Sequence, residues 1–282
     1  MTLAPAAGPG PGLAMFRDAT ETLFALAEAR GRPVPPRHFV ADADEAHALA
    51  LGGSVPIVAM SLDDVLECRR MDHPAAAGLA AFHGVHRGFL QLMARPGIAT
   101  IADLRGRRVA VDTDSGYARA LYEILTRHGI RDQVEIVYAG ATNLRYDKLV
   151  ARQFDATLLG APFTLLARRQ GHAVLGSVIG ALGGYQAIVL AAQRDWLAGH
   201  PAEAAAVTDC LAETIAWGQA NPDQAGALLG DPELADTLFG PAGEFLADGR
   251  IDPADARVVV DLFNASAGGA VDYDAVIARP RG

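Results

Sequence analysis

The chain has 282 residues, of which 51% are hydrophobic and 20% charged, and 24 Lys and Arg stand against 33 Asp and Glu for a net charge of -9. That balance excludes a general nucleic-acid or anionic-membrane surface, and no apolar run approaches the roughly 18 residues that a spanning helix needs. Cys68 and Cys210 are the only cysteines; with no close Cys pair they exclude a cysteine-rich zinc module, argue against a disulfide framework and leave the redox compartment open.

From the N-terminus, Met1 to Leu13 is rich in Ala, Pro and Gly and lacks Lys, Arg and an apolar core, so it shows no export signal. Phe16 to Arg30 predicts a helix with Phe16, Leu23, Leu26 and Ala27 on one side and Gly31 as its stop, after which Pro33, Pro35 and Pro36 break the chain. Arg37–Val40 predicts a short strand, Asp44–Leu51 a short helix ending at Gly52-Gly53, and Val55–Met60 a buried strand. Ser61-Leu62-Asp63-Asp64 then has the form of a helix start, because a serine oxygen accepts from free N–H groups and acidic residues in the first turn complement the helix dipole.

Phe89–Arg95 predicts a strand that ends at Pro96-Gly97. Ile101 to Gly176 alternates β-rich runs with amphipathic helices, and each strand empties into a turn of small residues. Its runs are Arg107–Asp112, a helix opening at Asp114-Ser115-Gly116-Tyr117, Val134–Tyr138 with a Gly140 turn, and Asp155–Gly160 followed by Ala161-Pro162-Phe163. In Ser115–His128 the residues Ala118, Leu121, Tyr122 and Leu125 share one face, and Gly129 stands at the C-terminal cap position. Helix N-termini at the carboxyl ends of parallel strands are where open α/β sheets hold small molecules. Gln186–Ala192 predicts a last strand, and the helices Pro201–Ala220, Pro222–Leu229, Pro232–Phe239 and Pro253–Asn264 each open with Pro. Those helices must pack back on the first half of the chain, so crossings near residues 92 and 185 would form a hinge.

Several turns carry groups able to hold a ligand. Asp114, Ser115, Gly116 and Tyr117 offer free N–H groups and a hydroxyl at a strand-to-helix turn, where ordinary capping uses the same atoms; Asp114 would repel an anion and favour a nitrogen-bearing ligand. Ala141, Thr142 and Asn143 form a second such turn, and Arg145 beside it reads either as a solvated helix residue or as a ligand contact. Gly160, Ala161 and Phe163 form a third, with Phe163 either stacking on a planar ligand or filling core. Ser61, Asp63 and Asp64 are the matching turn in the first half, and Gly183-Gly184-Tyr185-Gln186 reads as hinge. His83 and His86, three apart, could share a helix face but would point to opposite faces if they lay on a strand, so no metal site is expected, and nothing calls for a cofactor. Phosphate loops, dinucleotide fingerprints, nucleophile elbows and His-Glu-x-x-His are all lacking.

The run Ile101–Asp112, the Ser115-Gly116-Tyr117-Ala118 helix start, the Gly140 turn with Arg145, and Asp155–Phe163 together resemble, in order and spacing, the type 2 periplasmic binding proteins. The branch is that of the substrate-binding proteins of sulfonate, nitrate and thiamine-precursor importers, and the resemblance covers most of residues 55 to 265. It implies an α/β fold of two hinged lobes, residues 1–91 plus 186–282 and residues 92–185, that closes on a small polar or heteroaromatic ligand and hands it to an ABC permease. It also implies a monomer in the periplasm, although family members begin with a signal peptide and a ligand-contacting first strand where Thr2–Gly12 offers only a Pro/Gly-rich segment. The alternative is a cytoplasmic enzyme on the same fold, a desulfinase, a decarboxylase or a thiamine-pyrimidine synthase, using Cys68, His83 and Arg87.

Overall fold

A computed structural model describes residues 12–267 and 270–278, so nearly all of the Pro/Gly-rich N-terminal segment lies outside the described residues. In chain order the first part comprises β1 (Leu13–Met15), α1 (Ala19–Ala29), β2 (Arg37–Phe39), α2 (Ala43–Gly52), β3 (Ile57–Ser61), α3 (Leu62–Arg70) and β4 (Leu79–His86). The middle part comprises β5 (Gln91–Ala94), β6 (Arg108–Val111), α4 (Tyr117–Arg127), β7 (Glu135–Tyr138), α5 (Thr142–Val150), β8 (Ala156–Leu159), α6 (Phe163–Arg169), β9 (Ala173–Ser177) and α7 (Val178–Leu182). Then follow β10 (Ile188–Gln193), α8 (Arg194–Gly199), α9 (Pro201–Ala220), α10 (Pro222–Leu229), α11 (Pro232–Phe239), α12 (Pro253–Ala267) and α13 (Tyr273–Val276).

The strands form two five-stranded sheets, in the orders β2-β1-β3-β10-β4 and β7-β6-β8-β5-β9. β1 runs parallel to β2 and β3, and β6 runs parallel to β7 and β8. β10 is antiparallel to β3 and β4, and β5 is antiparallel to β8 and β9. Each sheet therefore has one reversed strand, and each reversed strand is the first that the chain forms after crossing from the other sheet. The crossings are sharp: Gly88 has φ +118 and the non-glycine Phe89 has φ 52 in one, and Gly183 has φ +86 in the other.

Three strands, β1, β4 and β9, have no counterpart in the sequence reading. β1 begins one residue after Gly12, so a first strand is present where only a Pro/Gly-rich segment was expected, and α1 starts at Ala19 rather than Phe16. β1 is three residues long and buried on both sides, so it shows neither alternation nor length. β4 was not anticipated either, because Ala80, Ala81 and Gly84 dilute its β-forming residues.

The core is built from both faces of these sheets. On the first sheet, Leu23 and Phe24 of α1 pack with Leu211 and Ile215 of α9 and Leu238 of α11. Phe263 of α12 lies in the continuous cluster that joins Leu66 of α3 to Leu121 of α4, so this C-terminal helix bridges the two sheets. Phe24 is fully buried, and truncating a buried Phe removes its transfer energy and leaves a cavity. Phe24→Ala should lower the unfolding free energy by about 3–5 kcal/mol in denaturant titration; a loss under about 1 kcal/mol would show that α1 and α9 are not packed as described.

Candidate functional site

The carboxyl ends of the parallel strands of both sheets face one another across a cleft with about 670 Å³ of space, its open mouth included. Phe16 and Asp18 follow β1, Ser61 ends β3, Asp112 and Ser115 follow β6, Thr142 follows β7 and Gly160 follows β8, and all of them line the cleft. Gly160 has to be small, since a Cβ there would sit 3.0 Å from the Gly88 carbonyl oxygen.

The two sheets touch where the N-termini of α3 and α4 meet. Ser61 caps α3: its Oγ accepts from the Asp64 N–H at 3.0 Å and donates to Asp64 Oδ2 at 2.6 Å. Asp64 Oδ1 accepts from Ser115 Oγ at 2.9 Å and lies 3.1 Å from His47 Nε2 of α2. Asp63 Oδ1 accepts from the Gly116 N–H at 2.7 Å and from Arg119, whose other terminal nitrogen donates to Glu67 Oε2 at 2.8 Å. Gly116 adopts φ +59, and a Cβ on it would stand 3.1 Å from Asp64 Oδ2, so the contact between sheets needs glycine here.

Burial opposes charge at all of these groups. For Asp64 it is overcome by His47, Ser61 and Ser115, which hold the carboxyl below its ordinary range. For His47 burial favours the neutral ring, but the hydrogen bond and charge of Asp64 win and raise it. Asp63 is pushed up to about 7 by burial against the pull of Arg119. Asp112 is pushed up to about 6 by burial, with Arg145 opposing.

Of the residues expected at the site, Ser61, Asp64, Ser115, Gly116, Tyr117, Thr142 and Gly160 come together on the cleft wall. Asp63 lies behind that wall, buried against Arg119. Asp114 turns outward into a shallow basin beside the cleft, where it accepts from Tyr122 Oη at 2.7 Å and Tyr138 Oη at 2.6 Å. Asn143 is not part of the cleft wall, Ala161 is core, and Phe163 packs on Tyr146 with ring centroids 5.5 Å apart. Of the two readings of Arg145, solvated helix residue or ligand contact, the first does not hold: it is 3% exposed on the cleft wall and donates to the Gly140 carbonyl at 2.6 Å. Its helix position is ordinary; what buries it is the approach of β8, whose Leu158 carbonyl it also meets at 3.4 Å.

The set Cys68, His83 and Arg87 is not assembled. Cys68 is buried in the core with its thiol pushed far up by burial, His83 stacks against Gly249 and is lowered to about 4 by burial, and Arg87 pairs with Asp255 at 2.7 Å. None of the three lines the cleft. His86, Asp18 and Phe16 do line it, and sequence reasoning missed them because β1 and β4 were not read as strands. His86 is 1% exposed, with Nε2 at 3.3 Å from Thr20 Oγ1 and 3.7 Å from Asp18 Oδ2. Among the described residues no three His, Cys, Asp or Glu side chains are placed to hold a metal ion.

A family model described as NMT1/THI5 like matches residues 41–225, more than half of the chain. No curated protein matches the chain in sequence. Among solved structures, the ligand-binding component of an ABC-type import system from Staphylococcus aureus, with zinc bound, superposes with a TM-score of 0.74 at 11% identity over 96% of this chain and 97% of that one. The periplasmic aliphatic sulphonate binding protein SsuA from Escherichia coli gives 0.70 at 17% over 98% and 94%. A Candida albicans gene product described as having the generic periplasmic binding protein fold gives 0.66 at 13% over 95% and 93%. The fold is therefore that of the periplasmic binding proteins, as the sequence resemblance implied.

The His47–Asp64 contact has a definite pH signature. The folded value of His47 lies above 6.5, so its contribution is complete below pH 6.5 and fades as pH rises through the folded value. The folded value of Asp64 lies below 3.8, so its contribution is complete above pH 3.8 and fades as pH falls through the folded value. The stability lost on His47→Gln should therefore be largest between pH 3.8 and 6.5 and shrink on either side. A pH-independent difference in unfolding midpoint would contradict the ion pair.

Proposed function

The chain belongs to the NMT1/THI5-like family, and on that premise we propose that it is the solute-binding component of an ABC-type importer. The observation that carries this reading is the convergence, across two chain crossings, of polar groups from both sheets on one cleft with apolar walls. Of the described residues, those up to 91 with those from 186 onward form one lobe and residues 92–185 the other, and the crossings around Gly88 and Gly183 act as the hinge. A small polar or heteroaromatic solute is held in the cleft that Ser61, Asp64, Ser115, Gly116, Tyr117, Thr142 and Gly160 line. Closure follows because the solute touches both lobes only in the closed form, and a difference in affinity is what shifts such an equilibrium. The monomer then presents the closed form to a membrane permease. The likeness of the fold to the ligand-binding component of an ABC-type import system from Staphylococcus aureus and to the periplasmic aliphatic sulphonate binding protein from Escherichia coli supports this reading.

The test is thermal unfolding of the purified chain with and without a small-molecule extract of bacterial cells. A solute at about 100 times its Kd should stabilise the fold by about 2.7 kcal/mol, and mass spectrometry should recover it unchanged. The reading fails if no fraction of the extract stabilises the chain, or if the bound compound is recovered chemically altered.

A further inference from the structure

The groups on which an anion would settle are already in use. An anionic solute in a cleft of this kind would be received by the exposed N–H groups and hydroxyls at the N-termini of α3 and α4. Here the Gly116 N–H is given to Asp63, the Ser115 hydroxyl to Asp64 and the Asp64 N–H to Ser61. The chain's own carboxylates stand where the anion would stand.

Two cleft-lining residues keep an unsatisfied polar atom of opposite kind. Asp112 Oδ1 and Arg145 Nε are both buried and without a hydrogen-bond partner. They are near enough to feel each other's charge, yet they form no ion pair: the terminal nitrogens of Arg145 are spent on the Gly140 and Leu158 carbonyls and the Thr142 hydroxyl. Leaving a buried donor and acceptor unpaired is costly, and a ligand that pairs both recovers that cost. The walls beside them, Leu90, Leu121 and Leu158, are apolar and suit a flat hydrocarbon body.

Building on the solute-binding reading, we infer that the cleft selects an electrically neutral ligand that presents an N–H donor to Asp112 and an acceptor to Arg145, and that it rejects simple anions. An anion with two acceptors turns a carboxylate-like group toward Asp112 and finds the Gly116 N–H and the Ser115 hydroxyl already given to Asp63 and Asp64. A cation with two donors turns one of them toward Arg145. A neutral amide-type group satisfies both.

Benzoate, benzamide and benzamidinium have the same shape and carry negative, zero and positive charge, so calorimetric titration of the full chain with each at neutral pH separates these cases. Benzamide should bind more tightly than either relative by at least about tenfold, the effect of roughly one unpaired buried hydrogen bond. Asp112→Asn, with Asp112→Ser as a second variant should the first fail to fold, should raise benzoate affinity relative to benzamide by at least about fivefold. Benzoate or benzamidinium binding as tightly as benzamide, no binding of benzamide, or an unchanged ratio in the folded variant overturns the inference. Each of those results leaves the importer reading intact so long as the cell extract stabilises the chain, and loss of that stabilisation removes the importer reading itself.

Discussion

Two adjacent carboxylates, Asp63 and Asp64, are buried at the point where the two sheets meet, and everything else about the cleft depends on how they are neutralised. Removing a carboxylate from water costs several kcal/mol unless partners replace the lost solvation. Each has its own set: His47, Ser61 and Ser115 for Asp64, and Arg119 with the Gly116 N–H for Asp63. These partners come from α2 and the end of β3 on one side and from the start of α4 on the other. Satisfying the charges therefore requires the two sheets to be together, and Gly116 is what lets the backbone come close enough.

The topology explains why that meeting point is also the cleft. In each sheet, reversal of one strand after a crossing lets the chain return while the parallel strands keep their carboxyl ends on one edge. The two edges face each other, so the turns that follow β1, β3, β6, β7 and β8 share one space. The C-terminal helices add no strand. They cover the outer face of the first sheet through Leu211, Ile215 and Leu238, and α12 spans to α4 through Phe263.

Much of this was legible from residue order alone. The three helices that open at Pro201, Pro222 and Pro232 have the limits that the sequence implies, because Pro marks their starts and Asn221, Gly230 and Gly240 mark their ends. Ser61 and the Ser115-Gly116 turn were legible as caps, since capping chemistry is local. That both caps serve the same buried carboxylates was not, because it depends on pairing across 51 residues of chain. Arg145 and His86 illustrate the same limit from the other side. A charged or titratable side chain on an ordinary helix or strand looks solvated until a distant strand covers it, as β8 covers Arg145 and Phe245 covers His86. Asp114 shows the converse error: it sits in the right turn, but two tyrosine hydroxyls draw it out of the cleft.

The contact between Asp64 and Ser115 is the narrowest statement of this architecture, because it joins the sheets through one hydrogen bond to a charged oxygen. A double-mutant cycle of Asp64→Asn and Ser115→Ala, read by denaturant unfolding at neutral pH, measures it directly. Coupling of about 1–3 kcal/mol is expected for a buried, charge-assisted bond. Additivity within about 0.3 kcal/mol would mean that the two residues do not touch in solution and that the two sheets are not held at this point.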